Sequence, residues 1–200
     1  MSDNREEMIC RLLRSTQREG IDNVIEEMHK IGFFTAPAST VFHLNVDGGL
    51  AIHSYNVCKM AMNVRDAVLK ERPGAEAKLQ RNSVVIAALL HDVCKADIYV
   101  KAKRYRRNED SGRWESYDGY NVDYSHFPVG HGEKSVIMLL KWGLRLTDDE
   151  ILAIRWHMTA WDLSFQSYEQ RQSLSVAAFN CPLLAVIQAA DGLASHILEV

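Results

Sequence analysis

Seven consecutive apolar residues, Val84-Val85-Ile86-Ala87-Ala88-Leu89-Leu90, run directly into His91-Asp92. No polar position interrupts them, so a helix built from this run has no face to offer to water and belongs at the centre of its fold. The carboxylate at its end is carried toward the same interior, where an unpaired charge is expensive. Such a chain needs helices to cover the run and a partner for Asp92.

The covering helices are legible. Four prolines in 200 residues (Pro37, Pro73, Pro128, Pro182) leave long uninterrupted stretches. Residues 5–15 and 21–31 read as amphipathic helices separated by Gly20. After Gly48-Gly49, the residues Leu50, His53, Val57, Met60, Ala61, Val64 and Val68 recur at helical spacing. Pro73-Gly74 ends that helix, and 76–90 reads as the next. Further helices are expected over 133–142, over 147–158 with Thr147 and Glu150 spaced as a capping box, near 170–179, and from Pro182 to the C-terminus. Residues 98–130 differ in texture. Tyr99 to Arg107 roughly alternates, Asn108-Glu109-Asp110-Ser111-Gly112 is a turn cluster, and Arg113 to Tyr120 is aromatic-rich. This predicts a β-hairpin inserted between helices. The expected fold class is all-α with one small hairpin. One domain is expected over 1–200, with N-terminal helices in 1–40 and the insert at 98–130.

Composition narrows the function classes. Hydrophobic residues make up 47% and charged residues 24%, which excludes a disordered or fibrous chain. The formal charge of −3 argues against a globally basic nucleic-acid binder. Met1 to Glu7 lacks the basic-then-apolar order of a signal peptide, and no apolar run approaches the roughly 20 residues of a membrane span. Cys10, Cys58, Cys94 and Cys181 are scattered, as suits free thiols in a reducing compartment. A cytoplasmic protein with no membrane contact is the expectation.

The chemistry lies in the histidines and two misplaced aspartates. Asp191 interrupts the apolar helix Leu183 to Ala194, as Asp92 ends the apolar run. His53 lies on the apolar face of its helix, His131 between two glycines at a helix start, and His157 near a helix end. Each alone reads as an ordinary structural residue. Together, four histidines and two aspartates fall on elements that pack into one core. Imidazole nitrogens and carboxylate oxygens are the ligands of first-row divalent metals such as Mn, Fe, Ni and Zn. A bound cation would also offset two buried carboxylates. The long intervals between the six let each come from a different helix.

In this order, His53, His91-Asp92, His131, His157 and Asp191 resemble the HD superfamily of metal-dependent phosphohydrolases. The context is specific: Gly48-Gly49-Leu50-Ala51-Ile52-His53-Ser54, Leu89-Leu90-His91-Asp92-Val93-Cys94-Lys95 and Ala189-Ala190-Asp191-Gly192. The resemblance covers roughly residues 40–200 and extends to small bacterial HD proteins and to the HD domain of YhaM-type 3′–5′ exoribonucleases. It implies an HD-type helical bundle and one or two divalent ions (Mn, Fe, Ni, Mg or Zn). His53, His91, Asp92 and Asp191 would hold the first, and Asp92, His131 and His157 the second. It also implies hydrolysis of a nucleotide or another phosphoester, a mono- or a diester, by metal-activated water; Asp92 as the shared ligand, and Lys95 by its spacing from His91, are the candidate catalytic residues. Cys94 departs from the family, standing where a glycine is common, and the 98–130 insert is long.

Residues outside the ligand set complete the reading. Lys95 lies one helical turn after His91, placed to meet a substrate phosphate or to sit solvated at a helix end. His126 and Glu133 flank His131 as candidates for proton transfer or ligand support. His29, His43 and His196 read as structural or surface residues. Five of the seven residues from Lys101 to Arg107 are basic, and five of the seven tyrosines fall in 98–130. Lys103, Arg104 and Arg106 are therefore candidates for binding an anionic, stackable substrate, though a solvated hairpin explains them as well. The partner implied is a small phosphorylated substrate, with nucleotides among the candidates; a homo-oligomer stays open. Two other readings share the fold: a mixed-valence di-iron oxygenase with a similar ligand order, and a regulatory module that binds a ligand without turnover. The intact six-residue set argues against the last.

Overall fold

The computed structural model describes residues 2–159 and 167–199. Helices α1 (Ser2–Ser15) and α2 (Ile21–Lys30) form an N-terminal pair. Between them Gly20 adopts φ +86°, and a Cβ there would land on the Gly143 carbonyl oxygen. That turn requires glycine for both reasons. The long helix α3 (Gly49–Glu71) and the central helix α4 (Arg81–Leu90) pack side by side. In α4 every residue from Ser83 to Leu90 is buried, as an all-apolar run demands. The helix expected over 76–90 is instead a 3₁₀ turn, Pro73–Lys78, followed by α4. The break falls at Leu79, whose side chain is buried and whose carbonyl accepts from Arg65 Nε at 2.7 Å. Anchoring that side chain in the core outweighs continuing the helix.

A single turn, α5 (Lys95–Ile98), leads into the antiparallel strands β1 (Tyr99–Arg107) and β2 (Trp114–Val122). Their register runs from Tyr99 opposite Val122 to Arg107 opposite Trp114. Asn108 closes the turn by accepting the N–H groups of Asp110 and Ser111. The hairpin does not project freely. Lys101 Nζ lies 3.0 Å from Asp47, the Tyr120 hydroxyl donates to the same carboxylate, and Arg104 donates to the Thr40 carbonyl at 2.9 Å. These contacts bind the insert to the loop that precedes α3.

Helices α6 (His131–Lys141), α7 (Asp148–Trp156), α8 (Tyr168–Asn180) and α9 (Pro182–Leu193) complete the bundle. The capping box at Thr147 and Glu150 is formed. The same Glu150 is fully buried and accepts a bidentate pair of bonds from Arg18, both 2.7 Å, which ties α7 to the chain after α1. The last helix does not continue to the terminus: α9 gives way to a π turn, Ala194–Leu198. One apolar cluster joins residues of α1, α2, α3, α4, α6, α7, α8 and α9. No single helix among the described residues is long and apolar enough to cross a membrane.

Candidate metal centre

The site forms where α4 ends. Asp92 follows the buried run and its side chain is only 2% exposed, so its charge must be met by neighbours. Its two oxygens face different groups. Asp92 Oδ2 lies 2.6 Å from Lys95 Nζ, 3.2 Å from His91 Nε2 and 3.5 Å from His53 Nε2. Asp92 Oδ1 lies 2.5 Å from His131 Nε2 and 3.3 Å from His157 Nε2. Asp191 Oδ1, from α9, stands 3.3 Å from His53 Nε2 and accepts from the Ser195 hydroxyl. The imidazoles form a continuous row, with ring centroids 5.3 Å apart for His53 and His91, 4.8 Å for His91 and His157, and 5.4 Å for His157 and His131. All six residues of the sequence set thus meet in one place.

The opposite edges of these rings explain their orientation. His91 and His157 each follow a helix C-terminus, where carbonyls are released from the helical ladder. Their Nδ1 atoms take the carbonyls of Ala88 and Ile154, at 2.9 and 2.7 Å. His53 Nδ1 faces the Glu199 carboxylate at 3.0 Å, and His131 Nδ1 faces the Cys94 sulfur at 3.6 Å. With Nδ1 turned to these partners, Nε2 of each ring faces the carboxylates. Among the described residues, Nε2 of His53, His91 and His157 is buried without a hydrogen-bond partner. Three such nitrogens converging on a carboxylate make a donor set suited to a metal ion. Both sides of Asp92 bring three donor residues close enough for one ion: His53, His91 and Asp92 on one, Asp92, His131 and His157 on the other. The donor set therefore fits divalent cations.

Charge dominates the electrostatics. Burial pushes His53 toward the neutral form, but the Asp191, Asp92 and Glu199 carboxylates outweigh it and hold its pKa at about 10. Burial likewise opposes protonation of His131, and Cys94 and Asp92 raise it to about 10. His157, whose burial is not overcome, is held below its ordinary value. Burial alone would raise Asp92, yet Lys95, His91 and His131 keep it charged, well below the usual carboxylate range.

The remaining candidates are placed differently. Lys95 is buried against Asp92 rather than solvated. His126 lies outside the cluster, 81% exposed, with Nδ1 3.1 Å from Asp97. Glu133 pairs with Arg155 at 2.7 Å. In the hairpin, Lys103 pairs with Asp118 at 2.6 Å, Arg106 stacks over Tyr117 at 5.6 Å, and Arg104 is committed to the Thr40 and Tyr120 carbonyls. The sequence reading set His43 aside and did not single out Glu199 or Asn56. His43 lies 5.2 Å from His53, ring to ring, and its Nε2 lies 3.8 Å from Glu199, which also accepts from Asn56. No local pattern marks these residues, because their partners are distant in the chain.

A family model described as HD domain matches residues 50–195. Over 89 residues, 44% of the chain, the sequence is 38% identical to a protein of Methanocaldococcus jannaschii named dihydroneopterin 2′,3′-cyclic phosphate phosphodiesterase. That match covers 32% of the relative, so the chain spans about a third of its length. No solved structure matches the chain. Because the family match begins at the helix that carries His53 and runs past Asp191, well over half of the sequence, this protein belongs to the HD-domain family.

Proposed function

We propose that the protein is a metal-dependent phosphohydrolase acting on a small phosphoester, with a cyclic phosphodiester of nucleotide type as the first substrate class to test. The observation that carries this reading is the two-sided Asp92, with one oxygen toward His53 and His91 and the other toward His131 and His157. His53, His91, Asp92 and Asp191 would hold one divalent ion, and Asp92, His131 and His157 a second. Such ions lower the pKa of a water molecule and offset charge on a phosphoryl group.

The chain's own residues supply the setting. Cross-links from Nδ1 hold the imidazoles in one orientation, so little reorganisation accompanies the chemistry. Lys95 adds a fixed positive charge beside Asp92, suited to an oxygen of the substrate phosphoryl group. Asp92 stays ionised throughout. Lys103 and Arg106 present positive charge at the hairpin surface for an anionic substrate, and His126 is an exposed imidazole for the same purpose. The name of the relative supports a diester, and the aromatic hairpin supports a nucleotide-like group.

The test is metal analysis of the purified protein, then assay of 2′,3′-cyclic nucleotides and of phosphomonoesters with Mn, Mg, Fe, Ni or Zn. Hydrolysis without oxygen, lost on chelation and restored by one of these metals, is the expected result. Turnover that needs oxygen would place the protein with the di-iron oxygenases instead. Metal binding with no turnover of either kind would make it a ligand-binding module.

A further inference from the structure

His53 differs from the other histidines in where it lies. His91 and His157 stand at helix ends and borrow released carbonyls, whereas His53 lies within α3, where carbonyls are engaged by the helix itself. An acceptor for its Nδ1 has to come from elsewhere, and it comes from 146 residues away. After α9 the π turn Ala194–Leu198 is closed by a bond from Glu199 N–H to the Ala194 carbonyl at 3.1 Å. This swings the Glu199 side chain inward until it is 1% exposed. Its Oε2 lies 3.0 Å from His53 Nδ1, and its Oε1 accepts from Asn56 Nδ2 at 3.1 Å, one turn further along α3. A buried carboxylate is costly unless it is paired. The Asn56 amide and the His53 imidazole provide that pairing.

We propose that Glu199 is the positioning residue of His53, its carboxylate accepting the Nδ1 proton so that Nε2 is presented, unprotonated, to a divalent cation. The proposal rests on the metal-site reading above. A carboxylate in this place fixes the tautomer, orients the ring, and makes the imidazole a stronger donor. It acts through His53 and touches neither cation nor substrate.

The test uses the full chain, stripped of metal and titrated with cobalt(II) against a competing chelator, with the visible cobalt spectrum as a second signal. Glu199→Gln keeps the shape and one acceptor oxygen but loses the charge. About 10–100-fold weaker cobalt binding is expected for it, and a smaller loss for Asn56→Ala, with metal-free melting near that of the parent. Cobalt affinity equal to the parent in Glu199→Gln would overturn the proposal and leave Glu199 a packing residue. A further measurement needs no variant: long-range 1H–15N spectra of the zinc-loaded protein should show His53 carrying its proton on Nδ1. A proton found on Nε2 would also overturn it. His53→Ala separates the two levels of the argument. If that variant binds cobalt as tightly as the parent, it is the metal-site reading that fails.

Discussion

The Lys95 ammonium stands 2.6 Å from Asp92 Oδ2, with 10% and 2% of the two side chains exposed. The chain thus supplies a cation of its own beside the carboxylate that His53, His91, His131 and His157 surround. Breaking a buried pair by removing one partner costs about 3–5 kcal/mol, because the other charge is left without compensation. Lys95→Met should therefore lower the melting temperature of chelator-treated protein sharply, and added Mn should recover most of the loss by taking over the neutralisation of Asp92. A melting temperature unchanged in the metal-free variant would show that Lys95 does not balance the site.

Asp92 serves both halves of the cluster, so its removal should act on both. Asp92→Ala is expected to lose bound metal and hydrolysis together, whereas His157→Ala should lower the metal stoichiometry and leave the half built on His53 and His91. Elemental analysis of the purified variants decides this. Full metal content in Asp92→Ala would contradict the assignment.

Proton linkage gives a third expectation. In the metal-free protein His53 and His131 are held at about 10, above the ordinary 6.5, because the acidic groups around them outweigh burial. Their contribution to stability is complete below about pH 6.5 and is lost as the pH rises through 10. Asp92 and Asp191 act in the opposite sense. Both lie below the ordinary 3.8, so their contribution is present above about pH 4 and is lost as the pH falls through their depressed values. A divalent cation needs the free Nε2 atoms, so its binding near pH 7.5 should expel at least about one proton per protein. Calorimetry in two buffers of different ionisation enthalpy measures that number. A value of zero would exclude His53 and His131 as ligands.

Gly132 follows His131 where α6 crosses the end of α7, and a Cβ there would land on the Arg155 carbonyl oxygen. A backbone atom two residues before His157 cannot yield as a flexible side chain does. Gly132→Ala should cost about 1–3 kcal/mol by overpacking, seen as a lower urea midpoint, and should weaken the metal position shared by His131 and His157. Parent-like stability would mean that α6 and α7 separate at little cost.

In the hairpin, Arg104 reaches the Thr40 carbonyl across Gly119, where an added Cβ would lie 3.0 Å from Arg104 Cδ. Arg104→Ala should destabilise by about 1 kcal/mol through the lost bonds. Lys103→Ala with Arg106→Ala should change stability by no more than about 0.5 kcal/mol. If those two charges meet an anionic substrate, the double variant raises KM more than it lowers kcat, and the salt dependence of kcat/KM falls. Unchanged KM and salt response would leave the hairpin as scaffold for the 40–47 loop.

What the sequence determined by itself is everything that local order can express. The apolar run from Val84 to Leu90 could be nothing but a core helix, and His91-Asp92 at its end had to be compensated. Asp191 was conspicuous for the same reason, the Thr147–Glu150 spacing produced its capping box, and the turn cluster after Arg107 produced the hairpin. Tertiary structure alone decided the rest. It broke the expected 76–90 helix at Leu79, docked the hairpin through Asp47 and Thr40, committed Arg104 to backbone carbonyls, and brought Glu199 beneath His53. Periodicity and capping report interactions within a turn or two of helix or across one hairpin. The partners of His53 Nδ1, Arg104 and Leu79 lie far along the chain or deep in the core, and they meet only because packing the apolar faces of the helices fixes where the polar groups must end.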